Sequence, residues 1–350
     1  MEIIKEGQAK VYAEKQNIVN KKMEVFYNPV MVVNRDFSLL IINTLKKKEI
    51  TIGDVLAGSG IRSIRLLKEI TQKNMKIIVN DKKSKFEELM NKNLKLNNIK
   101  TEDVEIRNED ANKTLLSQHF DYIEIDPFGT PNPFLDNAIK AIRREGIISI
   151  TATDTSALCG SYPAACERKY WAKPLRNELM HEFGARILIR KVQLLGAHHE
   201  KALNPILTYA TDHYIKIFLK STNSKEEIKK ILKQHETYKD KGPIWTGPIH
   251  DEKIIKEITE NKDEIPIHKN TERILNIIKD EITIKEPFFY DMHREAKELK
   301  LKNIPKTQDV IAELKEKKYK ATRTHFKDTS IKTNAEKREF LKILKTISSN

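Results

Sequence analysis

The residues with the clearest chemistry are Asp126, Pro127 and Phe128, within Phe120-Asp-Tyr-Ile-Glu-Ile-Asp-Pro-Phe-Gly-Thr-Pro131. A carboxylate followed by a proline and an aromatic ring suits an exocyclic amine on a flat base. Asp126 accepts one amine hydrogen, the Pro127 carbonyl accepts the other, and Phe128 offers a face for stacking. The run through Tyr122, Ile123 and Ile125 reads as a short buried strand, ended by Pro127 and Gly129. Asp126 then stands at the carboxyl end of a strand, where open α/β sheets place their ligands. Asp-Pro pairs also start ordinary turns, so the rest of the chain decides.

A second set of residues lies at βα spacing. Residues 50–55 read as a strand, 56–61 as a glycine-containing turn, and 62–70 as a helix. Gly58 and Gly60 let the backbone approach a ligand, and a helix N-terminus offers free N–H groups. A second strand, Met75 to Asp81, ends in a carboxylate about twenty residues past the glycines, the spacing at which an acidic side chain takes ribose hydroxyls. A helix over 83–97 and a strand over 104–107 precede Asn108-Glu-Asp110-Ala111. After the strand with Asp126 come a helix over 134–144 and a fifth strand over 146–153. Five strands in this rhythm predict an α/β, doubly wound sheet. Dinucleotide enzymes share the glycine turn and the acidic strand end but have no use for Asp126-Pro127-Phe128. The triplet resembles the Asp/Asn-Pro-x-aromatic motif of S-adenosylmethionine-dependent methyltransferases that act on nucleobase amino groups.

Outside that block, Phe37–Leu45 reads as a helix and 154–163 as a loop. Arg186–Val192 and His213–Leu219 read as a closing antiparallel strand pair. Ser224 with Glu227 forms a capping box that opens a second region, with helices expected at about 225–237, 251–261, 270–280, 291–300 and 307–317. His198-His199-Glu200 lacks a third ligand at metal spacing, so no metal is expected.

The chain has 350 residues, with 64 Lys and Arg against 50 Asp and Glu, a net charge of +14. That length predicts two domains, and that charge favours a polyanionic partner. No run reaches the roughly 18 apolar residues of a membrane span, and Met1–Gly7 lacks a signal peptide's apolar core. Two cysteines, Cys159 and Cys166, make neither a zinc site nor a disulfide scaffold. A reduced, cytoplasmic, monomeric protein is expected. From Lys300 to Asn350 there are 14 Lys and Arg against 6 acidic residues. There Lys317, Lys318, Lys320, Arg323, Lys327 and Lys332, interleaved with Tyr319 and Phe326, form a candidate phosphate-contact surface, the first five being its foremost candidates.

Several separated stretches together resemble the tRNA (guanine-26 N2)-dimethyltransferases. They are Val25-Phe-Tyr-Asn-Pro29 with Asn34-Arg-Asp36, Asp54-Val-Leu-Ala-Gly-Ser-Gly-Ile-Arg-Ser-Ile-Arg65, Asp126-Pro-Phe-Gly-Thr-Pro131, Thr151-Ala-Thr-Asp154 and Gly242-Pro-Ile-Trp-Thr-Gly-Pro248. The resemblance implies a class I (Rossmann-like) methyltransferase domain, residues 1–222, and a smaller C-terminal α+β domain, residues 223–350, that binds tRNA. It implies S-adenosylmethionine as methyl donor and transfer of one or two methyls to guanine 26. By resemblance, Arg35 and Arg65 hold the methionine carboxylate, Gly58 lies against the cofactor, Asp81 takes the ribose, and Asp110 with Ala111 takes the adenine edge. Asp126 and Pro127 are then catalytic, and Phe26 and Phe128 sandwich the guanine. Many relatives carry zinc cysteines before the Gly-Pro-x-Trp motif, but residues 220–241 contain no cysteine. Two rivals stay open: methylation of another amino group, such as N6 of adenine, and a non-catalytic RNA-binding protein.

Overall fold

The structure, a computed structural model, describes residues 1–14, 27–70, 74–211 and 213–349. Strands β1 (Glu2–Glu6) and β2 (Ala9–Ala13) form an antiparallel hairpin, and α1 (Val32–Asn43) follows. Then β3 (Glu49–Asp54), α2 (Ile61–Glu69), β4 (Asn74–Asn80), α3 (Phe86–Leu96) and β5 (Val104–Arg107) alternate. The rhythm continues through α4 (Ala111–Leu116), β6 (Phe120–Ile125), α5 (Asn132–Ala141) and β7 (Ile142–Ala152). Helices α6 (Thr155–Leu158), α7 (Pro163–Tyr170) and α8 (Met180–His198) lead to β8 (Ala202–Ala210) and β9 (Ile215–Thr222).

The main sheet has the order β5-β4-β3-β6-β7-β9-β8. Strands β3 to β7 are parallel, and β9 runs antiparallel to both β7 and β8. Its middle strands are apolar on both faces: Ile50, Ile52, Ile77, Ile78, Val79, Ile123, Ile125, Ile148 and Ile150 are all buried. Such continuous runs belong to a sheet covered by helices on both sides. Strand order reverses between β3 and β6, which opens the crevice where ligands of such sheets sit. The expected α/β doubly wound class is observed.

The expected strand at Arg186–Val192 is corrected: these residues lie inside the helix α8. The closing pair is β8 with β9. In α8, Phe183, Ala185, Ile187, Leu188, Ile189 and Val192 are all buried. A helix buried nearly all round has no polar face to give it a 3.6-residue period, so Ile187-Leu188-Ile189 passes for a strand. The expected loop at 154–163 contains α6 and starts α7.

Beyond β9 the chain forms α9 (Lys225–Leu232), β10 (His235–Tyr238), β11 (Lys241–Trp245), α10 (Glu252–Asn261) and α11 (Lys269–Glu281). The Ser224 hydroxyl accepts from Glu227 N, as the capping box requires, but α9 stops five residues before the expected end. The freed residues make a hairpin of β10 with β11. Side-chain hydrogen bonds fasten that hairpin. Arg186 donates to the carbonyls of Trp245 (3.0 Å) and Gly247 (2.9 Å). Trp245 Nε1 donates to the Pro248 carbonyl (2.8 Å), and His235 bonds Gln193 (2.9 Å). Finally, β12 (Tyr290–Asp291), α12 (Met292–Glu298), α13 (Thr307–Glu316), β13 (Ala321–Thr324), β14 (Lys327–Thr333) and α14 (Lys337–Ser349) complete the chain, with sheet order β12-β14-β13.

Two cores result in this region. Ile255 and Ile258 of α10 and Leu275 and Ile278 of α11 share one apolar cluster with Phe37, Leu40 and Ile41 of α1. Met292, Val310, Leu314, Ile331, Phe340 and Leu344 form a separate one. Asp36 of α1 strengthens the first contact by accepting from His268 N (2.8 Å) and Thr271 Oγ1 (2.6 Å).

Candidate active site

Asp126 follows β6 at the strand's carboxyl end, with its side chain 16% exposed. Its Oδ2 accepts from Arg62 Nη2 at 2.7 Å, while Oδ1 carries no hydrogen bond among the described residues. Pro127 is buried and Phe128 is 38% exposed. The turn then needs Gly129 at φ +85°, a left-handed conformation that glycine adopts without a Cβ penalty. Gly129 N donates to Thr153 Oγ1 (2.6 Å), and Thr153 N donates to the Gly129 carbonyl (3.0 Å), so the end of β7 fixes the turn.

A buried network lies beneath Asp126. Arg62 also donates to Asn34 Oδ1 (3.0 Å) and pairs with Glu124 at 3.2 Å. Its Nε–H has no partner among the described residues. Glu124 accepts from Ser38 (2.8 Å), Tyr122 (2.8 Å) and Ser149 (3.1 Å), and it pairs closely with Lys216. Burial raises the pKa of Glu124, but Arg62 and Lys216 outweigh it and hold the carboxyl below its ordinary value. Lys216 donates to Thr151 Oγ1 (3.0 Å), which also receives Asn34 Nδ2 (3.0 Å). Asp54 at the end of β3 has no such excess of cations: burial pushes its carboxyl up to about 6 despite Arg62 and Ser63. Arg62, Asn34, Glu124 and Lys216 are absent from the sequence-based candidates. A signal existed: Glu124 and Lys216 interrupt apolar strand runs, and a buried charge requires a buried partner.

The cofactor candidates lie on three neighbouring strand ends. Gly58 N donates to Asp81 Oδ2 (2.9 Å), and Lys83 N donates to Asp81 Oδ1 (3.1 Å). These bonds hold the carboxylate after β4 against the turn after β3. Gly58 and Gly60 both have positive φ, +60° and +76°. A Cβ on Gly60 would stand 2.4 Å from Met90 Sδ, so a larger residue there would have to displace that side chain as well as adopt the left-handed backbone. Asp110 caps α4 by accepting from Asn112 N (2.9 Å), with Ala111 buried behind it. The ends of β3, β4 and β5 lie side by side and bring together the glycine turn, carboxylates with spare lone pairs and the buried Ala111, a set that fits an adenosyl group.

Arg35 and Arg65 meet at Glu6 of the hairpin. Arg35 grips Glu6 through Nε (2.7 Å) and Nη2 (2.6 Å), and Arg65 Nη1 reaches it at 3.0 Å. Burial raises the Glu6 pKa, but Arg35 and then Arg65 bring it down to about 2. Arg65 is fully buried, and its five N–H donors are taken by Glu6, Asp36, Glu69 and the Pro266 carbonyl. It reaches a ligand only by giving up one of these acceptors. Phe26 lies outside the described residues.

The basic C-terminal residues Lys317, Lys318, Lys320, Arg323 and Lys327 are all exposed. Three are engaged: Lys317 with Glu313 (3.3 Å), Lys320 with the Thr283 carbonyl (3.1 Å) and Lys327 with Asp291 (2.7 Å). Lys332 is buried, donating to the Phe288 carbonyl at 3.3 Å. The interleaved rings do not present stacking faces. Phe326 is buried in the catalytic core, and Tyr319 packs on the C-terminal core.

Residues 7–240 and 233–345 match the family described as N2,N2-dimethylguanosine tRNA methyltransferase. The tRNA (guanine(26)-N(2)/guanine(27)-N(2))-dimethyltransferase of Aquifex aeolicus is 38% identical over 98% of this chain and 95% of its own. The tRNA (guanine(26)-N(2))-dimethyltransferase of Methanocaldococcus jannaschii is 37% identical over 95% of this chain and 96% of its own. A solved complex of Trm1 from Pyrococcus horikoshii with S-adenosyl-L-methionine superposes with a TM-score of 0.89 at 33% identity, covering 98% of this chain and 100% of that one. Matched over nearly its whole length, the chain belongs to the N2,N2-dimethylguanosine tRNA methyltransferase family.

Proposed function

We propose that Asp126 and the Pro127 carbonyl carry the transfer of methyl groups from S-adenosylmethionine to the exocyclic N2 of guanine 26 in tRNA. The reaction follows from family membership over nearly the whole chain. The observation that supports the residue assignment is Asp126 Oδ1, which has no hydrogen-bond partner among the described residues, beside an Oδ2 anchored at 2.7 Å by Arg62. Guanine N2 is a poor nucleophile because its lone pair is delocalised into the ring. Hydrogen bonds from the amine to Asp126 Oδ1 and the Pro127 carbonyl turn that lone pair out of conjugation. Asp126 then takes the amine proton as the new C–N bond forms, a contribution of typically 10²–10⁴-fold for a positioned base. Phe128 holds the ring plane. Bound S-adenosylmethionine supplies an electrophilic methyl on a sulfonium centre. A second methyl requires the monomethylated amine to turn its remaining hydrogen toward one of the same two acceptors.

In this reading Asp81 takes the ribose hydroxyls, Gly58 lies against the cofactor, and Asp110 with Ala111 frames the adenine. Arg35 and Arg65 receive the methionine carboxylate in exchange for Glu6, the acceptor they share. Phe26 is the second stacking ring. Residues 223–350 serve as the smaller tRNA-binding domain, a reading supported by the separate core around Met292 and Phe340. The chain works as a monomer in the cytoplasm. Product identification tests the reaction. Digested tRNA, methylated with labelled cofactor, should yield N2-methylguanosine or N2,N2-dimethylguanosine. Label in N6-methyladenosine overturns the reading.

Asp81→Ala weakens S-adenosylmethionine binding by about 1–3 kcal/mol, the cost of leaving hydrogen-bonding groups unpaired. Equilibrium dialysis measures it, and an affinity equal to wild type removes Asp81 from the ribose site. Replacing Lys320 and Arg323 with Ala flattens the plot of log tRNA affinity against log salt by roughly one unit per phosphate no longer neutralised. An unaltered slope removes these two residues from the RNA footprint.

A further inference from the structure

Helix α7 is bolted to the catalytic turn. Tyr170 Oη donates to Thr130 Oγ1 (3.0 Å), and Asn132 Nδ2 donates to the Lys169 carbonyl (2.8 Å). Lys169 Nζ pairs with Asp154, just past β7, at 2.8 Å. The C-terminal end of α7 is therefore packed against the turn that carries Asp126-Pro127-Phe128.

It presents aromatic rings. Among the described residues the exposed aromatics are Phe128 (38%), Tyr162 (65%) and Trp171 (48%). The first is on the catalytic turn, and the other two flank α7. Trp171 is at the helix C-cap with φ +58° and ψ 37°, the left-handed conformation that favours glycine and strains a bulky residue. The strain is not repaid by burial, since half the ring stays exposed. The Lys191 ammonium covers the ring, and Arg190 Nη1 donates to the Trp171 carbonyl (3.2 Å), so the indole is held in place. A strained backbone that holds an exposed aromatic ring beside a reaction centre is a mark of a ligand contact.

The same shoulder carries unneutralised positive charge. Residues 161–176 contain Arg168, Lys169, Lys173 and Arg176 against the single acid Glu167. Arg168, Lys173 and Arg176 are exposed, and no carboxylate lies in ion-pair range of them among the described residues. The C-terminal lysines contrast with this, since Lys317 and Lys327 already hold acidic partners.

We infer that the shoulder formed by residues 161–176 is the RNA-contact surface next to the target guanine. Arg168, Lys173 and Arg176 meet backbone phosphates, and Tyr162 and Trp171 stack bases adjoining the extruded guanine. The inference rests on the proposed reaction at guanine 26. Extracting one base from a folded RNA leaves its neighbours unstacked, and nearby aromatic faces compensate for that loss.

The test uses the full chain and an unmodified tRNA transcript. Affinity is measured at five salt concentrations for wild type, Trp171→Gly and the triple variant Arg168→Ala/Lys173→Ala/Arg176→Ala. The triple variant should flatten the log–log salt slope by roughly one unit for each phosphate that these side chains neutralise. Trp171→Gly should weaken tRNA binding about 5- to 100-fold, the range for losing one stacked base. Its melting temperature should equal or exceed that of wild type, because glycine relieves the left-handed strain. S-adenosylmethionine affinity should not change in either variant. Wild-type salt slope and affinity in both variants would overturn the proposal while leaving the reaction at guanine 26 standing. Failure of the wild-type protein to methylate the transcript would instead sink the underlying reading.

Discussion

Asp126→Ala lowers the rate of methyl transfer by about 10²–10⁴-fold, the span associated with a positioned general base. The affinities for S-adenosylmethionine and tRNA remain close to wild type. Asp126 is partly exposed, and its Oδ1 has no hydrogen-bond partner among the described residues, so its removal withdraws little packing from the fold. What disappears is the acceptor that orients the amine and takes its proton. Single-turnover kinetics with saturating enzyme separate this loss from binding. A variant that keeps more than about a tenth of the wild-type rate falls outside the acid–base range and denies Asp126 the role. A loss confined to KM would place it in binding rather than in chemistry.

Arg62→Met produces the second large effect, on stability. Arg62 is buried, and it is paired with Glu124 at 3.2 Å and Asp126 at 2.7 Å. Removing one partner of a buried ion pair leaves the other uncompensated, at a cost of about 3–5 kcal/mol. Lys216 still faces Glu124 and moderates that cost. The urea midpoint should fall with an unchanged denaturant slope, and Arg62→Lys should restore part of it. Under conditions where Arg62→Met stays folded, kcat falls more than KM rises, because Asp126 loses the group that fixes its orientation. An unaltered midpoint with unaltered kcat would show that the guanidinium neither supports the sheet through Glu124 nor holds the Asp126 carboxylate.

The two predictions differ in how readily the sequence revealed their residues. Asp126 and Asp81 stand where β-formers give way to Pro, Gly or a charged run, and the side chains at such ends face the crevice. Chemistry and local punctuation coincide there, so these positions were legible. Arg62 was not. Its meaning depends on Asp126, 64 residues away, and on Glu124, neither of which local periodicity connects to it. The Glu124–Lys216 pair spans 92 residues and joins two strands that become neighbours only through β7. Helix α8 was misread for the related reason that burial on all sides erases the amphipathic pattern. The C-terminal basic run was visible as composition, but composition does not reveal that Phe326 turns inward or that Lys327 pairs with Asp291.

The most direct test of the account compares two tRNA transcripts that differ only at nucleotide 26, guanine in one and adenine in the other. Each is incubated with wild-type protein and labelled S-adenosylmethionine, and the incorporated label is mapped by nuclease digestion and nucleoside mass spectrometry. Label is expected on N2 of guanine 26 in the first transcript, with no incorporation in the second. Equal label in both transcripts, or label on any adenine, would contradict it.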